Sequence, residues 1–142
     1  MRECYLDATQ EGGIALFARK ISGEVVMLNL LRFREVADYS ANPELAPVRT
    51  ISGREAYQRY MDHTLPFLRE SGGSILFAGE GGRYLIGPQD EPWDMALLIR
   101  QKSVSDFVAF ASNQAYLAGI GHRTAALEDS RLLPLTELAI PE

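Results

Sequence analysis

The chain has little cysteine, no excess of positive charge and no long hydrophobic run, and each shortage excludes a class of protein. Its single cysteine, Cys4, cannot form an intrachain disulfide, so nothing indicates an oxidising compartment. A net charge of -5 argues against binding of nucleic acid through its phosphates. The longest apolar stretch, Val25 to Leu31, is far below the ~20 residues of a membrane-spanning helix. Because Met1 to Gly12 also lacks the apolar segment of a signal peptide, we expect a cytosolic protein.

The length of 142 residues predicts one domain over residues 1–142, because two domains would have to share the usual size of one. An apolar content of 46% is enough for a core without disulfides or metals. Residues 1–23 are predicted to form a helical N-terminal extension of this domain. Its helix covers Asp7 to Lys20, with Asp7 or Thr9 as the N-cap.

Several strands are predicted from apolar patterns. Glu24 to Phe33 and Trp93 to Lys102 are apolar at odd and even positions alike, which is typical of strands covered on both faces. Ser74 to Gly87 alternates around a glycine-rich centre and predicts a hairpin or a bulged strand. Ser130 to Thr136 predicts a last strand at a sheet edge, because Pro134 cannot donate a ladder hydrogen bond.

Helix signals separate these strands. Ser52 and Glu55 have the spacing of a capping box, and the helix that they begin is expected to bend at Pro66 and to end at Gly72-Gly73. Ser103 caps a second helix, and Gln114 to Glu128 predicts a further helical piece. Arg34 to Ile51 has no periodicity and predicts a long loop of the kind that often covers a functional site.

From Glu24 onward, the order strand, helix, strand, strand, helix, strand predicts a ferredoxin-like βαββαβ fold of the α+β class. This fold has an antiparallel four-stranded sheet with both helices on one face. The helices cover one face only, although Val25 to Leu31 and Met95 to Ile99 are apolar on both. A second copy of the same sheet is the most economical cover, and we predict a homodimer that buries on the order of 800 Å² per subunit.

Four segments carry a family resemblance: Val25 to Phe33 (VVMLNLLRF), Tyr57-x-x-Tyr60, Ser71-Gly72-Gly73 and Asp129 to Pro134 (DSRLLP). Together they resemble the bacterial family called domain of unknown function 1330, over Glu24 to Leu135. The resemblance implies the ferredoxin-like dimer of the dimeric α+β barrel superfamily, and it brings no catalytic residues with it.

Asn29 and Arg32 are polar residues in the first long strand. An amide in the middle of a buried strand must find partners or cost about 1–3 kcal/mol, so Asn29 is either a satisfied structural amide or a ligand contact. Arg32 either binds the carboxylate of a ligand or pairs with a nearby Asp or Glu.

His63 and His122 are the only imidazoles, and imidazole is the side chain that titrates near neutrality without a perturbed pKa. His63 lies at the edge of the apolar stripe of the helix that begins at Ser52. It is either a half-exposed histidine that packs against this stripe or an acid or base. His122, which precedes Arg123, is a candidate general base. Haem-degrading monooxygenases of the same superfamily combine an Asn, a Trp and a His, and Asn29, Trp93 and His122 are similar to that set in residue type.

We expect no metal and no cofactor, because the sequence lacks a metal-ligand spacing, a phosphate-binding motif and a nucleophile motif. RNA-binding domains share this strand and helix order and stack bases on aromatic residues of the sheet. The segment Asp94 to Ile99 lacks that aromatic pattern, which excludes RNA binding.

We therefore predict a small-molecule pocket between sheet and helices in a cofactor-free isomerase or monooxygenase-like enzyme. The predicted contacts are Asn29, Tyr60, Trp93 and Arg123, and the acid or base is His63 or His122. The alternative is a non-catalytic ligand-sensing or assembly module in which these polar residues only complete the core.

Overall fold

The computed structural model describes residues 3–141. From the N-terminus, its elements are α1 (Gln10–Ala18), β1 (Val25–Phe33), a 3₁₀ turn (Pro43–Leu45), α2 (Gly53–Glu70), β2 (Ser74–Gly82), β3 (Trp93–Gln101), α3 (Val104–Ala111), α4 (Gln114–Leu117), α5 (Ile120–Ala126) and β4 (Leu127–Leu135).

The four strands form one antiparallel sheet in the order β2-β3-β1-β4. Two strand-helix-strand units that interleave in this order define the ferredoxin-like fold, so the predicted α+β class and topology are confirmed. β4 is an edge strand, as Pro134 predicted, and its start pairs with the end of β1.

The two faces of the sheet differ in burial. On β1 the side chains of Val25, Met27 and Leu31 are at most 2% exposed, whereas their neighbours at even positions are only partly buried. Leu31 and Leu97 pack with Tyr57 and Tyr60 of α2 in the main core, so the odd positions of β1 face the helices. We call the other side the open face. By register its apolar side chains are Val26, Leu28, Leu30, Phe77, Ala96, Leu98, Leu133 and Leu135.

α2 begins as its sequence predicted. The Ser52 hydroxyl accepts a hydrogen bond from the backbone N–H of Glu55, and the Glu55 carboxylate accepts one from the backbone N–H of Ser52. The helix continues through Pro66 to Glu70, and Gly72 follows with a φ of +83°, a conformation that favours glycine after a helix. Tyr57 and Tyr60 on its inner face reach the core.

The structure differs from the sequence-based prediction in residues 114–130 and in residues 83–87. The predicted helix over 114–128 is two short helices, α4 and α5, separated at Gly119. Leu127 already has extended backbone, is fully buried and pairs with Phe33, so β4 begins three residues earlier than predicted from Ser130. Similarly, β2 is one bulged strand that ends at Gly82, and residues 83–87 form part of a loop rather than a strand.

The segment before α1 is attached to β4. The backbone N–H of Tyr5 donates to Asp129 Oδ1 at 2.8 Å, and the Ser130 hydroxyl donates to the Tyr5 carbonyl at 2.6 Å. α1 begins at the predicted N-cap Thr9, whose hydroxyl accepts from Gly12. None of the residues of α1 is buried.

Candidate functional site

The arrangement best suited to proton transfer joins α5 to the long loop over residues 34–51. The Tyr39 hydroxyl lies 2.7 Å from His122 Nδ1, and the two rings meet edge to face. The loop lies against α5, because the N–H of Asp38 donates to the carbonyl of Ala125 at 2.9 Å. A Cβ atom on Gly121 would lie 2.6 Å from Leu45, so only glycine allows the loop this close approach.

Burial and charge both act on this pair. Burial lowers the pKa of His122 below its usual 6.5, and the positive charges of Arg59 and His63 lower that pKa further. Burial raises the pKa of Tyr39, against the opposite effect of Arg59. At neutral pH His122 is therefore an uncharged imidazole beside a protonated phenol. When Nδ1–H donates to the Tyr39 oxygen, the lone pair of Nε2 is available to accept a proton.

His63 is close enough for its charge to affect His122, so the structure brings the two predicted acid-base residues together. However, His63 Nε2 lies 2.8 Å from the carbonyl oxygen of Ala115 and 3.2 Å from that of Tyr116. A carbonyl only accepts, so Nε2 carries a proton and is engaged in joining α2 to α4. Gly119 makes room for the ring, because a Cβ atom there would lie 2.2 Å from it.

Tyr60 belongs to a cluster of aromatic side chains in the core, and Arg123 is near enough for its charge to act on this cluster. The hydroxyls of Tyr60 and Tyr116 are 2.7 Å apart and buried. Burial raises the pKa values of Tyr57 and Tyr116, and the Arg123 charge partly offsets both shifts, which places its guanidinium nearby. Arg123 Nη1 donates to the Leu6 carbonyl, and Nη2 is 3.4 Å from the Ser130 hydroxyl.

Asn29 points to the helix side of the sheet and is 9% exposed. Its Nδ2 donates to the carbonyl of Met27 at 3.2 Å, and its cross-strand neighbours are Leu97 and Leu132. The side chain therefore has a backbone partner, as expected of a structural amide.

Trp93 is part of another group, at the start of β3. Its indole N–H donates to the Tyr84 hydroxyl at 2.7 Å and approaches Glu91 at 3.3 Å. The guanidinium groups of Arg32 and Arg131 lie 5.6 and 5.1 Å from the centre of its ring, within the range of cation-π contacts.

Asp129 is the polar residue whose importance sequence reasoning missed. It is completely buried and pairs with Arg32 at 3.3 Å and with Arg131 at 2.6 Å. Burial raises the pKa of Asp129, but hydrogen bonds from the Tyr5 N–H, Arg131 and the Ser130 N–H outweigh it and leave the pKa below its usual value. Arg32 thus forms an ion pair, which was one of its two predicted roles. The search for the carboxylate that pairs with Arg32 could have pointed to Asp129.

The described residues form at least two surface cavities. One, of about 290 Å³, lies between α1 and α3 and is lined mainly by Leu16, Phe17, Val104 and Val108. The other, of about 190 Å³, is formed by the loop over residues 37–51 and includes Tyr39. Neither is lined by Asn29, Tyr60, Trp93 or Arg123, and neither lies between sheet and helices as the predicted pocket would.

Within residues 3–141, no group of three or more His, Cys, Asp or Glu side chains is arranged to hold a metal ion. None of the described helices combines the length and the apolar character that crossing a bilayer requires.

Comparison with solved structures identifies the relatives of this ferredoxin-like α+β protein. The methylated RPA0582 protein is 35% identical over 98% of both chains, with a TM-score of 0.83. RPA0582 from Rhodopseudomonas palustris, a protein of unknown function, has also been solved separately; it is 34% identical over 97% of this chain and 100% of that chain, again with a TM-score of 0.83. The chain belongs to the RPA0582 family.

Other comparisons add no activity. A dimeric protein of unknown function with a ferredoxin-like fold from Bacteroides fragilis is 14% identical over 79% of this chain and 94% of that chain, with a TM-score of 0.46. No family model and no curated protein matches the chain.

Proposed function

We propose that the protein is a homodimer whose subunits pair through the open face of the sheet. The supporting observation is the apolar character of that face, on which Phe77 and Leu133 are 57% and 53% exposed. Val26, Leu28, Leu30 and Leu98 lie on the same face and also keep part of their surface in water. A self-complementary apolar face of this kind suits a two-fold dimer.

Light scattering at micromolar concentration tests the dimer with a matched pair of variants on β4. Leu133 faces the open side, whereas its neighbour Leu132, which is 45% exposed, faces the opposite side. Leu133→Arg should give monomers, because the guanidinium would be buried unpaired in the interface. Leu132→Arg should leave the dimer intact. A monomeric wild type, or a dimer that persists in Leu133→Arg, would contradict the assembly.

We propose that each subunit binds a small organic anion at His122 and moves a proton on it without a cofactor, as in a keto-enol isomerisation. The proposal is supported by the neutral His122 imidazole, which Tyr39 orients at 2.7 Å. The charge of Arg59 acts on both groups and suits an anionic substrate. Nε2 would take a proton from a carbon next to a carbonyl and return it to another atom of the substrate. His63, engaged with the Ala115 carbonyl, would position the site rather than transfer the proton.

Hydrogen-deuterium exchange into a keto acid tests this chemistry, with pyruvate as the probe. The wild type should accelerate exchange at the carbon next to the carbonyl, and His122→Gln should lower that rate by about 10²-fold or more. Titration of the His122 ring by NMR should show a pKa below 6.5 and a shift when pyruvate is added. His63→Gln is the control and should retain exchange above that of His122→Gln. Unaltered His122 resonances together with no exchange across a panel of keto acids would refute the proposal.

A non-catalytic ligand-sensing or assembly module is the second candidate. It is favoured by Asn29, whose amide bonds to the Met27 carbonyl inside the strand, and by the closed pair of Tyr60 and Tyr116. Thermal shift measurements against small acids and aromatic compounds distinguish a ligand-binding protein from an assembly module. Stabilisation that is lost in Asn29→Leu would support a ligand site in the interior near Asn29. Tyr60, Arg123 and Trp93, which the structure places in other groups, would be tested as contacts by the same loss in their own variants. No stabilisation by any compound would favour the assembly module.

We also propose that the RPA0582 family is a longer branch of domain of unknown function 1330 and that the protein works in the cytosol. The segment Val25 to Phe33, which resembles that family, supports the assignment to domain of unknown function 1330. The single cysteine, which is exposed, supports the second.

A further inference from the structure

The cavity between α1 and α3 is an apolar groove whose walls are largely exposed. We call it the α1–α3 groove; it is lined by Leu16, Phe17, Lys20, Ile21, Val104 and Val108. Phe17 is 61% and Val108 39% exposed. α1 has only nine residues and buries none of them, whereas isolated helices of this length are not stable in water. The Arg19 guanidinium at the end of α1 donates to the Pro134 carbonyl at 2.7 Å, and apolar cover over the groove would add to this attachment.

A second apolar feature lies in the loop between β2 and β3. Leu85 and Ile86, which we call the hairpin tip, are 97% and 91% exposed. The loop around them is held in place, because the Tyr84 hydroxyl donates to Glu91 at 2.7 Å and Gln89 Nε2 donates to the Tyr84 carbonyl at 2.9 Å. Two large apolar side chains presented by a fixed loop are typical of a binding surface.

The hairpin tip cannot reach the groove of its own subunit. The tip precedes Trp93 at one end of β3, and α3 begins just after Gln101 at the other end. A strand of nine residues separates these ends by about 27 Å. Any contact between tip and groove must therefore join two copies of the chain.

We propose that the hairpin tip of one subunit docks into the α1–α3 groove of the other. The inference rests on the proposed dimer through the open face. We place the two-fold axis of the proposed dimer across the strands, which inverts the partner sheet and brings its Trp93 end to the Gln101 end of the first subunit. The tip extends beyond its own sheet and passes the end of the first sheet to reach the groove on the helix side. Each copy carries one tip and one groove, and the two-fold symmetry fills both grooves in a closed dimer.

The area of the interface supports the same arrangement. A stable dimer buries about 800 Å² per subunit. Val26, Leu28 and Leu30 on the open face are already partly covered by their own neighbours, which limits the area that each of them can contribute. Leu85 and Ile86 are almost fully exposed and add on the order of 100 Å² each, together with the Phe17 and Val108 surfaces that they would cover.

Cysteine cross-linking tests the docking, because Cys4 is the only native cysteine and Cys4→Ser gives a background free of thiols. In that background, Ile86→Cys combined with Val108→Cys should form a covalent dimer on mild oxidation or with a short bismaleimide. Each substitution alone should not, because the two tips of a dimer lie in different grooves. A second measurement is the dimer dissociation constant, which Ile86→Asp should raise at least 10-fold. Val48→Asp is the matched control and should leave it unchanged, since Val48 is an equally exposed apolar residue on another loop.

The outcomes separate this inference from the proposed dimer. A dimer by light scattering that forms no link between positions 86 and 108 would overturn the docking and leave the sheet interface standing. A disulfide between cysteines introduced by Leu138→Cys and Val108→Cys would assign the groove to the C-terminal segment, where Leu138 is 80% exposed. That result would also overturn the docking of the hairpin tip. A monomer in light scattering would overturn the sheet interface and the docking together.

Discussion

At the scale of single residues, Asp129 determines how the stability of the protein should depend on pH. Its folded pKa lies below the usual 3.8, because the hydrogen bonds that it accepts outweigh its burial. The charged carboxylate therefore stabilises the folded state above about pH 4, and this stabilisation is lost as the pH falls through the lower, folded pKa. We expect urea unfolding to show a free energy that decreases over this acidic range.

Asp129→Asn should remove most of this pH dependence and lower the free energy of unfolding at pH 7 by about 1–3 kcal/mol, because Arg32 and Arg131 would lose their buried charged partner and, among the described residues, keep only Glu128 and Glu91. Asp62→Asn is the control, since Asp62 is exposed on α2 and accepts a hydrogen bond from its helix neighbour Gln58. A free energy of unfolding that decreases equally with pH in wild type and Asp129→Asn would show that another carboxylate is responsible.

The buried hydroxyl pair of Tyr60 and Tyr116 gives a second prediction at this scale. Tyr60→Phe and Tyr116→Phe should each cost about 1–3 kcal/mol, because each leaves the other hydroxyl buried without its partner. The double variant should cost less than the sum, with a coupling of about 0.5–3 kcal/mol in a double-mutant cycle measured by urea unfolding. Additive losses would mean that each hydroxyl has another partner in solution.

At the scale of elements, the contact between the 34–51 loop and α5 depends on Gly121. Gly121→Ala should displace Asn42 and Leu45 and lower the free energy of unfolding by about 1–3 kcal/mol. The amide of Asp38, which donates to Ala125, should exchange faster with deuterium. Gly13→Ala is the control: nothing lies within 4 Å of a Cβ atom there, and alanine in α1 should stabilise the helix by up to about 1 kcal/mol. Unchanged exchange at Asp38 in Gly121→Ala would refute the role of this glycine.

The elements also show which parts of the fold the residues alone could predict. β1 and α2 were predictable because apolar runs and a capping box are local signals. The break between α4 and α5 was not, since His63 from a distant part of the chain lies against this turn, with its Nε2 on the Ala115 carbonyl and its ring where a side chain at Gly119 would be. The early start of β4 at Leu127 likewise depends on pairing with Phe33.

At the scale of the whole molecule, a dimer through the open face ties folding to protein concentration. If only the dimer is stable, each tenfold rise in concentration should add about 1.4 kcal/mol to its free energy of unfolding into monomers. The urea midpoint should therefore rise with concentration in wild type and in Leu132→Arg. A midpoint that is constant over about two decades of concentration would mean that the subunit folds independently of its partner.

The candidate site was only partly predictable, because the residues that form it come from separate parts of the chain. Both histidines could be chosen from their chemistry, because so few residues titrate near neutrality. Tyr39 could not, since nothing local shows that the long loop folds back on α5. Arg123 donates to the carbonyl of Leu6, which is far away in the chain, and composition carries no information about that contact. Asn29 and Trp93 bond to residues close in the chain, but their residue types do not indicate which polar partner each one takes.

The outer strands of the sheet have a consequence for the protein at high concentration. β4 contains Pro134, which offers no amide hydrogen, and the Tyr5 backbone bonds to Asp129 and Ser130 along the same strand. β2 is interrupted by a bulge after Ile75 and ends in glycines. Neither edge strand is therefore a good template for pairing with a strand of another molecule. Crowded solutions of this protein should therefore resist the growth of fibrils, even though much of its apolar surface faces water.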